Sequence, residues 1–301
     1  MRIGITGGGA TVDRIVEQAI GAERDGFSSI WYASAVAGDP LVAIALAGRA
    51  TTTIELGTAV LQTYPTHPLL MASRATSVAA AMGRAGLTLG VGPSHQPVIE
   101  GVYGLSYARP GQHTEEYTRI LVGALMGEVD FKGDLLEAHS AGRVTRPDQP
   151  IPVLLSALAP RLLRVAGELA NGTITWMANA RALERHVVPR IVAAAAGREA
   201  PRIVVGLPVA VHDDVEEGRA AAAQQFAMYG TLPNYRRILD IGGAAGPADA
   251  AIVGDEASVT AQLQELIDAG ATDIWTAPFP VGDRAQSRAR TLALLASLST
   301  P

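Results

Sequence analysis

The sequence predicts an α/β fold in which eight parallel strands, each followed by a covering helix, close into a TIM (β/α)8 barrel. Three observations carry that expectation. Short, apolar, β-branched runs alternate with amphipathic helical stretches along almost the whole chain. Runs such as Arg2–Thr6, Ser28–Ala33, Ile54–Val60 and Leu87–Gly92 are short and near-continuously apolar. Such runs are buried on both faces, as in a parallel sheet covered by helices. Polar and aromatic residues gather just past the ends of the runs, where a barrel carries its chemistry.

The elements follow in order. Arg2–Thr6 leads into Gly7-Gly8-Gly9, and Thr11 is placed to N-cap a helix with Val12, Ile15, Val16, Ala19 and Ile20 on one face. Gly26 ends it before the second strand. Asp39-Pro40 opens the next helix, with proline at its first position. Ile54–Val60 is the third strand, a helix runs from Pro68 to about Met82, and Ala85–Gly92 is the fourth strand. An insertion at about 93–111, rich in Gly, Pro, Tyr and Ser, has the character of a binding loop or lid. His113–Met126 is helical, with Glu115 and Glu116 in its first turn. A second, polar insertion at about 129–150 contains a candidate hairpin over Val129–Val144. Ile151–Ala157, Gly172–Ala178, Ile203–Val211 and Thr272–Ala277 supply strands five to eight, and Ser287–Leu298 closes the chain. No composition break divides residues 1–301, so one barrel domain is expected.

Composition excludes several function classes. A net charge of -5 argues against a nucleic-acid partner. No cysteine is present, which removes disulfides, thiolate metal sites and a cysteine nucleophile together. Lys132, the sole lysine, has no Gly-rich loop before it, so Schiff-base and P-loop chemistry are excluded. The start MRIGITGGGA has no long apolar stretch, and later apolar runs are too short to span a bilayer. A cytoplasmic protein without a membrane partner is expected. The six histidines form no HxH pair, so no metal site is expected. Apolar faces such as Leu69–Met82 serve either a homodimer or the barrel's own cover; a homodimer is the expectation.

Several strand ends hold candidate site residues. Gly7-Gly8-Gly9 lacks the GxGxxG spacing, and reads as a strand-to-helix turn or a point of close substrate approach. Gly57–Pro68 begins as a buried strand and ends in polar and aromatic groups; His67 is either a helix N-terminal residue or a functional one. In Gly90-Val91-Gly92-Pro93-Ser94-His95, the glycines leave room for a flat ring. His95 is there either a proton donor or acceptor at the mouth or a surface histidine. Ser156–Arg161 joins a strand to a helix whose free N–H groups, with Arg161 and Arg164, suit an anion such as phosphate or only water.

These residues together resemble the luciferase-like monooxygenase superfamily, and within it most resemble the coenzyme F420-dependent oxidoreductases of actinobacteria. The resemblance rests on Gly26–Tyr32, on Glu55–Pro68 with its helix ending Ala81-Met82, and on Leu87–Gly92. Arg109-Pro110-Gly111 leading into Glu115-Glu116-Tyr117, and Val253-Gly254 followed by Ala269-Gly270-Ala271-Thr272-Asp273, complete it. It spans nearly the whole chain, and its specificity lies in the order and spacing of loose motifs.

The resemblance implies a deazaflavin lying across the C-terminal mouth of the barrel. It implies a non-prolyl cis peptide at Ala59-Val60 behind the ring, a wall from Gly92, Pro93, Ser94 and His95, and a backbone phosphate cradle at Ser156, Ala157 and Leu158. Trp176 matches the end of strand six. Two positions depart from the family: Ser34-Ala35 stands where many relatives carry Asp-His, and His95 where a glutamate is often found. The family's acid and its supporting imidazole are therefore absent, and the lysines that clamp a sugar phosphate are missing. The implied activity is hydride transfer between F420 and a small, mostly apolar organic substrate. His95 and Ser34 are the catalytic candidates, with Ser34 and Gln62 hydrogen-bonding the ring edge. An FMN-dependent monooxygenase is the alternative, and a flavin- or deazaflavin-binding protein without turnover is the second.

Overall fold

Strands alternate with helices in the computed structural model, which describes residues 1–34, 38–141 and 144–300. The strands are β1 (Ile3–Gly7), β2 (Ser29–Tyr32), β3 (Glu55–Thr58), β4 (Leu61–Gln62), β5 (Leu87–Gly92) and β6 (Asp130–Lys132). They continue with β7 (Glu137–His139), β8 (Val153–Leu155), β9 (Gly172–Trp176), β10 (Arg202–Val211), β11 (Ile252–Gly254) and β12 (Asp273–Pro278). All pairings in the main sheet are parallel, in the order β12-β1-β2-β3-β5-β8-β9-β10, and β10 pairs back to β12. The barrel of eight strands is therefore closed, as the uniformly apolar runs predict. Position 35 and residues 142–143, the latter inside the second predicted insertion, lie outside the described residues.

Helix starts follow the local chemistry of the sequence. Thr11 accepts from the Arg14 amide and Asp39 from the Leu41 amide, so both act as the N-caps their positions suggest. His67 does likewise: its Nδ1 accepts from the Leu69 amide at 3.3 Å, and its Nε2 sits 3.3 Å from the Glu137 carbonyl. His67 is a cap, and it is not among the residues that line the cavity at the barrel mouth. Of the helix Pro68–Met82, Met71, Ala72, Ala75, Val78 and Met82 are buried, while Leu70 is exposed. Most of that apolar face covers the barrel.

Two differences from the sequence reading have physical causes. The third predicted strand, Ile54–Val60, is broken: β3 pairs with β5 through Leu56 and Gly57, and β4 pairs with β5 again at Leu61 and Gln62. Between them the Thr58 hydroxyl replaces the ladder, donating to the Gly90 carbonyl and accepting from the Gly90 amide. The bulge that results holds the Ala59-Val60 peptide, which is cis. β11 is an added strand, paired with the far end of the ten-residue β10. The polar stretch at 129–150 does form a hairpin, β6 with β7, and the insertion after β5 carries a short helix, Gln96–Gly101. Among the described residues, no helix is long and apolar enough to cross a membrane.

Two indoles fill the barrel. Trp31 and Trp275 pack with Leu154, Ile174 and Val204 in an inner cluster distinct from the larger core beneath the helices. Glycines on neighbouring strands make the room: a Cβ on Gly57 would stand 2.3 Å from the Trp31 ring, and one on Gly206 2.3 Å from that of Trp275.

Candidate active site

A cavity of about 630 Å³ opens at the C-terminal ends of the strands. Of the sequence-predicted site residues, Ser34, Ala59, Val60, Gln62, Pro93, Ser94, His95, Ser156, Leu158 and Trp176 all line it. Gly92 and Ala157 do not. A Cβ on Gly92 would stand 2.8 Å from Ser156 Cβ and 3.1 Å from Val60 Cγ2, and one on Gly90 would stand 1.9 Å from the Thr58 carbonyl oxygen. These glycines thus admit the bulge and the neighbouring strand, not a bound ring, which corrects the expectation drawn from their missing side chains. Ala157 is fully buried and turned into the helix-covered core.

The wall around the cis peptide is held by side chains. Ser34 Oγ donates to the Val60 carbonyl at 2.7 Å, and Gln62 Nε2 donates to Ser94 Oγ at 3.2 Å. The Ser34 hydroxyl proton and the Gln62 amide group are thereby engaged in the wall itself, while both side chains still line the cavity. Ser94 is left-handed (φ 62°) and so is Met177 (φ 64°), which follow β5 and β9 where each strand meets the cavity. For residues with a Cβ this conformation costs about 1–2 kcal/mol, and such strain gathers at functional sites.

His95 follows Ser94 in extended conformation and N-caps the helix Gln96–Gly101 through its backbone. Its ring is half-buried in the cavity wall, against Tyr235 at 5.6 Å between centroids. Burial lowers its pKa, and among the described residues no charged or hydrogen-bonding neighbour offsets that effect. The imidazole is therefore neutral at pH 7 and free to accept a proton. Among the described residues, no aspartate or glutamate lines the cavity.

Facing the bulge is a wall of rings that the sequence reading missed, apart from Trp176. Trp176 packs 5.1 Å from Trp275, 5.7 Å from Tyr229 and 6.1 Å from Phe226, and Tyr229 packs 4.9 Å from Tyr235. Edge and tilted contacts of this kind suit the quadrupoles of the rings. The signal was present, since Phe226, Tyr229 and Tyr235 fall within ten residues of a chain that has only four Phe and seven Tyr. They lie beyond β10 in no strand-end motif, so nothing local placed them at the mouth. Thr175 Oγ1 and Trp176 Nε1 are buried in this wall without a well-formed hydrogen bond. The indole nonetheless approaches the Tyr229 hydroxyl closely enough to moderate the upward pKa shift that burial imposes there.

Under the opposite rim, Ala159 begins the helix Pro160–Leu169 without any side-chain cap. Its first-turn amides are open beside Ser156, Leu158 and Gly111. Arg161 and Arg164, expected to favour an anion there, are already paired with Glu115, Arg161 at 2.8 Å and Arg164 at 3.5 Å. The cradle's attraction for an anion rests on backbone amides more than on free cations.

Comparison with known proteins agrees with this architecture. The family model for luciferase-like monooxygenases matches residues 2–299. A 5,10-methylenetetrahydromethanopterin reductase of Methanolobus tindarius is 26% identical over 303 residues, covering 89% of this chain and 91% of the relative. The coenzyme F420-dependent tetrahydromethanopterin reductase of Methanopyrus kandleri superposes with a TM-score of 0.82 at 21% identity, over 99% of this chain and 98% of that one. The oxygenating constituent of 3,6-diketocamphane monooxygenase from Pseudomonas putida, solved with FMN, gives a TM-score of 0.73 at 16% identity over 100% and 98% of the two chains. The two structural likenesses are of fold.

Proposed function

The chain belongs to the luciferase-like monooxygenase family, and from that premise we propose that it is a coenzyme F420-dependent oxidoreductase acting on a small, mostly apolar organic substrate. The observation that carries this reading is the make-up of the cavity. Its lining joins the backbone bulge at Ala59-Val60 to a wall of aromatic rings, with the His95 imidazole set against Tyr235 of that wall.

The residues fit a planar redox ring with an anionic tail. The rings of Trp176, Tyr229 and Tyr235 line the cavity, and the uncapped helix start at Ala159 offers amides to a phosphate. Ala59, Val60, Gln62, Pro93 and Ser94 would hold the ring; Ser156 and Leu158 would hold the tail. When bound, the deazaflavin supplies a hydride-exchanging carbon, C5, and the protein supplies position and surroundings.

The chain's own contributions follow. Trp176, Phe226, Tyr229 and Tyr235 exclude water and present an apolar surface to the substrate. Among the described residues, Arg161 and Arg288 are the full charges that line the cavity, and both are cationic, so a cationic substrate is disfavoured. His95, neutral at pH 7, takes a proton from a substrate hydroxyl as it is oxidised and returns it in the reverse direction.

FMN-dependent oxygenation is the competing reading, because an FMN-bound protein shares the fold. Titrating the purified chain with F420 and with FMN, followed by fluorescence quenching, separates the two. Micromolar F420 binding with weak FMN binding is expected, and the reverse order would overturn the proposal. Hydride exchange with a panel of alcohols, enones and imines then distinguishes an enzyme from a cofactor carrier.

A further inference from the structure

Among the described residues the side chain of His95 has no hydrogen bond to fix its aim, and its ring packs against Tyr235 at 5.6 Å. Its orientation is therefore inherited from its backbone. That backbone is held on both sides. The His95 carbonyl accepts from the Val98 and Ile99 amides at 3.0 Å each, as the start of the following helix. The preceding peptide is held by Tyr107, whose hydroxyl donates to the Ser94 carbonyl at 2.8 Å. That carbonyl belongs to the Ser94–His95 peptide unit, so the bond sets the plane from which the imidazole departs. It also supports Ser94 in its left-handed conformation, which an L-residue abandons readily when unsupported.

Tyr107 is itself well anchored. Its ring stacks on Tyr64 at 5.3 Å, and Tyr64 stacks in turn on His113 at 3.9 Å with the planes 5° apart. Tyr64 also donates to the Ala108 carbonyl at 3.3 Å, tying the end of the insertion down beside it. Burial raises the Tyr107 hydroxyl to about 12, so it remains a donor throughout the neutral range.

We propose that Tyr107 is a positioning residue, which fixes the aim of His95 by holding the Ser94–His95 peptide and the left-handed turn at Ser94. The insertion is then more than a cover: its return limb sets the geometry of the proton-handling group at the strand end. Gln62, donating to Ser94 Oγ from β4, is the second support of the same turn. The proposal rests on the reading of His95 as the proton carrier, but its structural part is testable without cofactor or turnover.

Tyr107→Phe removes the hydroxyl and keeps the stacked ring, so the fold is retained. The His95 imidazole is followed by NMR through a pH titration of the free protein, its resonance assigned by loss in His95→Gln. In Tyr107→Phe its pKa is expected to rise toward the ordinary value near 6.5, as the ring turns toward water. Turnover should fall by up to roughly 10²-fold, the scale of a small misplacement of a catalytic group. An unchanged His95 titration in Tyr107→Phe overturns the proposal, whatever happens to activity. So does a loss of cofactor affinity with His95 unmoved, which would make Tyr107 part of the ring's cradle. A shifted titration in a protein that binds no F420 upholds the positioning role and defeats the functional reading alone.

Discussion

The two ends of the barrel are built from opposite materials. At the N-terminal end, Arg202 reaches across to Glu55 on β3 and Asp273 on β12, with nitrogen–oxygen distances of 2.6–2.9 Å. Arg2 joins the same two carboxylates at 2.9 Å each, and the Arg202 guanidinium lies 5.8 Å from the Trp31 ring centre. Burial would lower the Arg202 pKa, but the hydrogen bonds it donates to Asp273 and Glu55 outweigh that and raise it. The Asp273 carboxyl is held below its usual range because the Arg202 bonds outweigh its own burial. Each charge there is answered. At the C-terminal end, the His95 imidazole stands without a charged partner among the described residues, Thr175 Oγ1 and Trp176 Nε1 lack hydrogen bonds, and Ser94 and Met177 are left-handed. One end is satisfied, and the other is poised for something the chain does not itself provide. The contrast assigns stability to the bottom and chemistry to the top.

The strongest test of that division is at the top. His95→Ala is expected to lower turnover on the order of 10²–10⁴-fold, the contribution of a general acid–base. Its denaturation midpoint should stay close to that of the parent, since the ring makes no hydrogen bond. Steady-state kinetics and urea unfolding on one preparation check both halves. Unaltered turnover would return His95 to a surface role and leave the top without a proton carrier.

The converse test is at the bottom. Arg202→Met keeps the bulk of the side chain but leaves Glu55 and Asp273 sharing only Arg2. Breaking a buried, hydrogen-bonded charge network in this way costs about 3–5 kcal/mol, read as a lower urea midpoint. Cofactor affinity of the folded protein should be unchanged. A weakened affinity at undiminished stability would show that the two ends are coupled, and the division would fail.

The sequence disclosed these two ends unequally. The strands were legible because burial on both faces leaves a near-continuous apolar run, and helix starts because Thr11 and Asp39 advertise their caps. The bulge is less so: Ile54–Val60 reads as one strand, and only the family resemblance pointed to a cis bond at Ala59-Val60. Gly90 and Gly92 were visible but were assigned the wrong task, since a missing Cβ does not say which neighbour fills the space. Tyr107, Tyr229, Tyr235 and Phe226 were not found, because tertiary packing alone brings them to the mouth. Arg202, Glu55 and Asp273 are far apart in sequence, and no local pattern joins them.

A subtler test asks whether the supports of the top are also exempt from stability. His113 lies beneath the return limb of the insertion, buried, with Tyr64 stacked on it and Nδ1 unpartnered. Burial lowers its pKa from 6.5 to about 4, against a smaller opposing pull from Glu116. The unfolded chain therefore binds the proton more tightly than the folded one between those values. The stability that His113 contributes by staying neutral is complete above pH 6.5 and drains away as pH falls through about 4. The full swing is of order 3 kcal/mol. His113→Phe preserves a ring for Tyr64 and removes the titration, so its urea midpoint should fall less than the parent's over that window. Other groups, His95 and His186 among them, titrate in both proteins, so the difference between the two curves is what reports on His113. Parallel curves would mean that the folded protein accommodates the charged ring, and that the top is tolerant of charge where its packing says it is not.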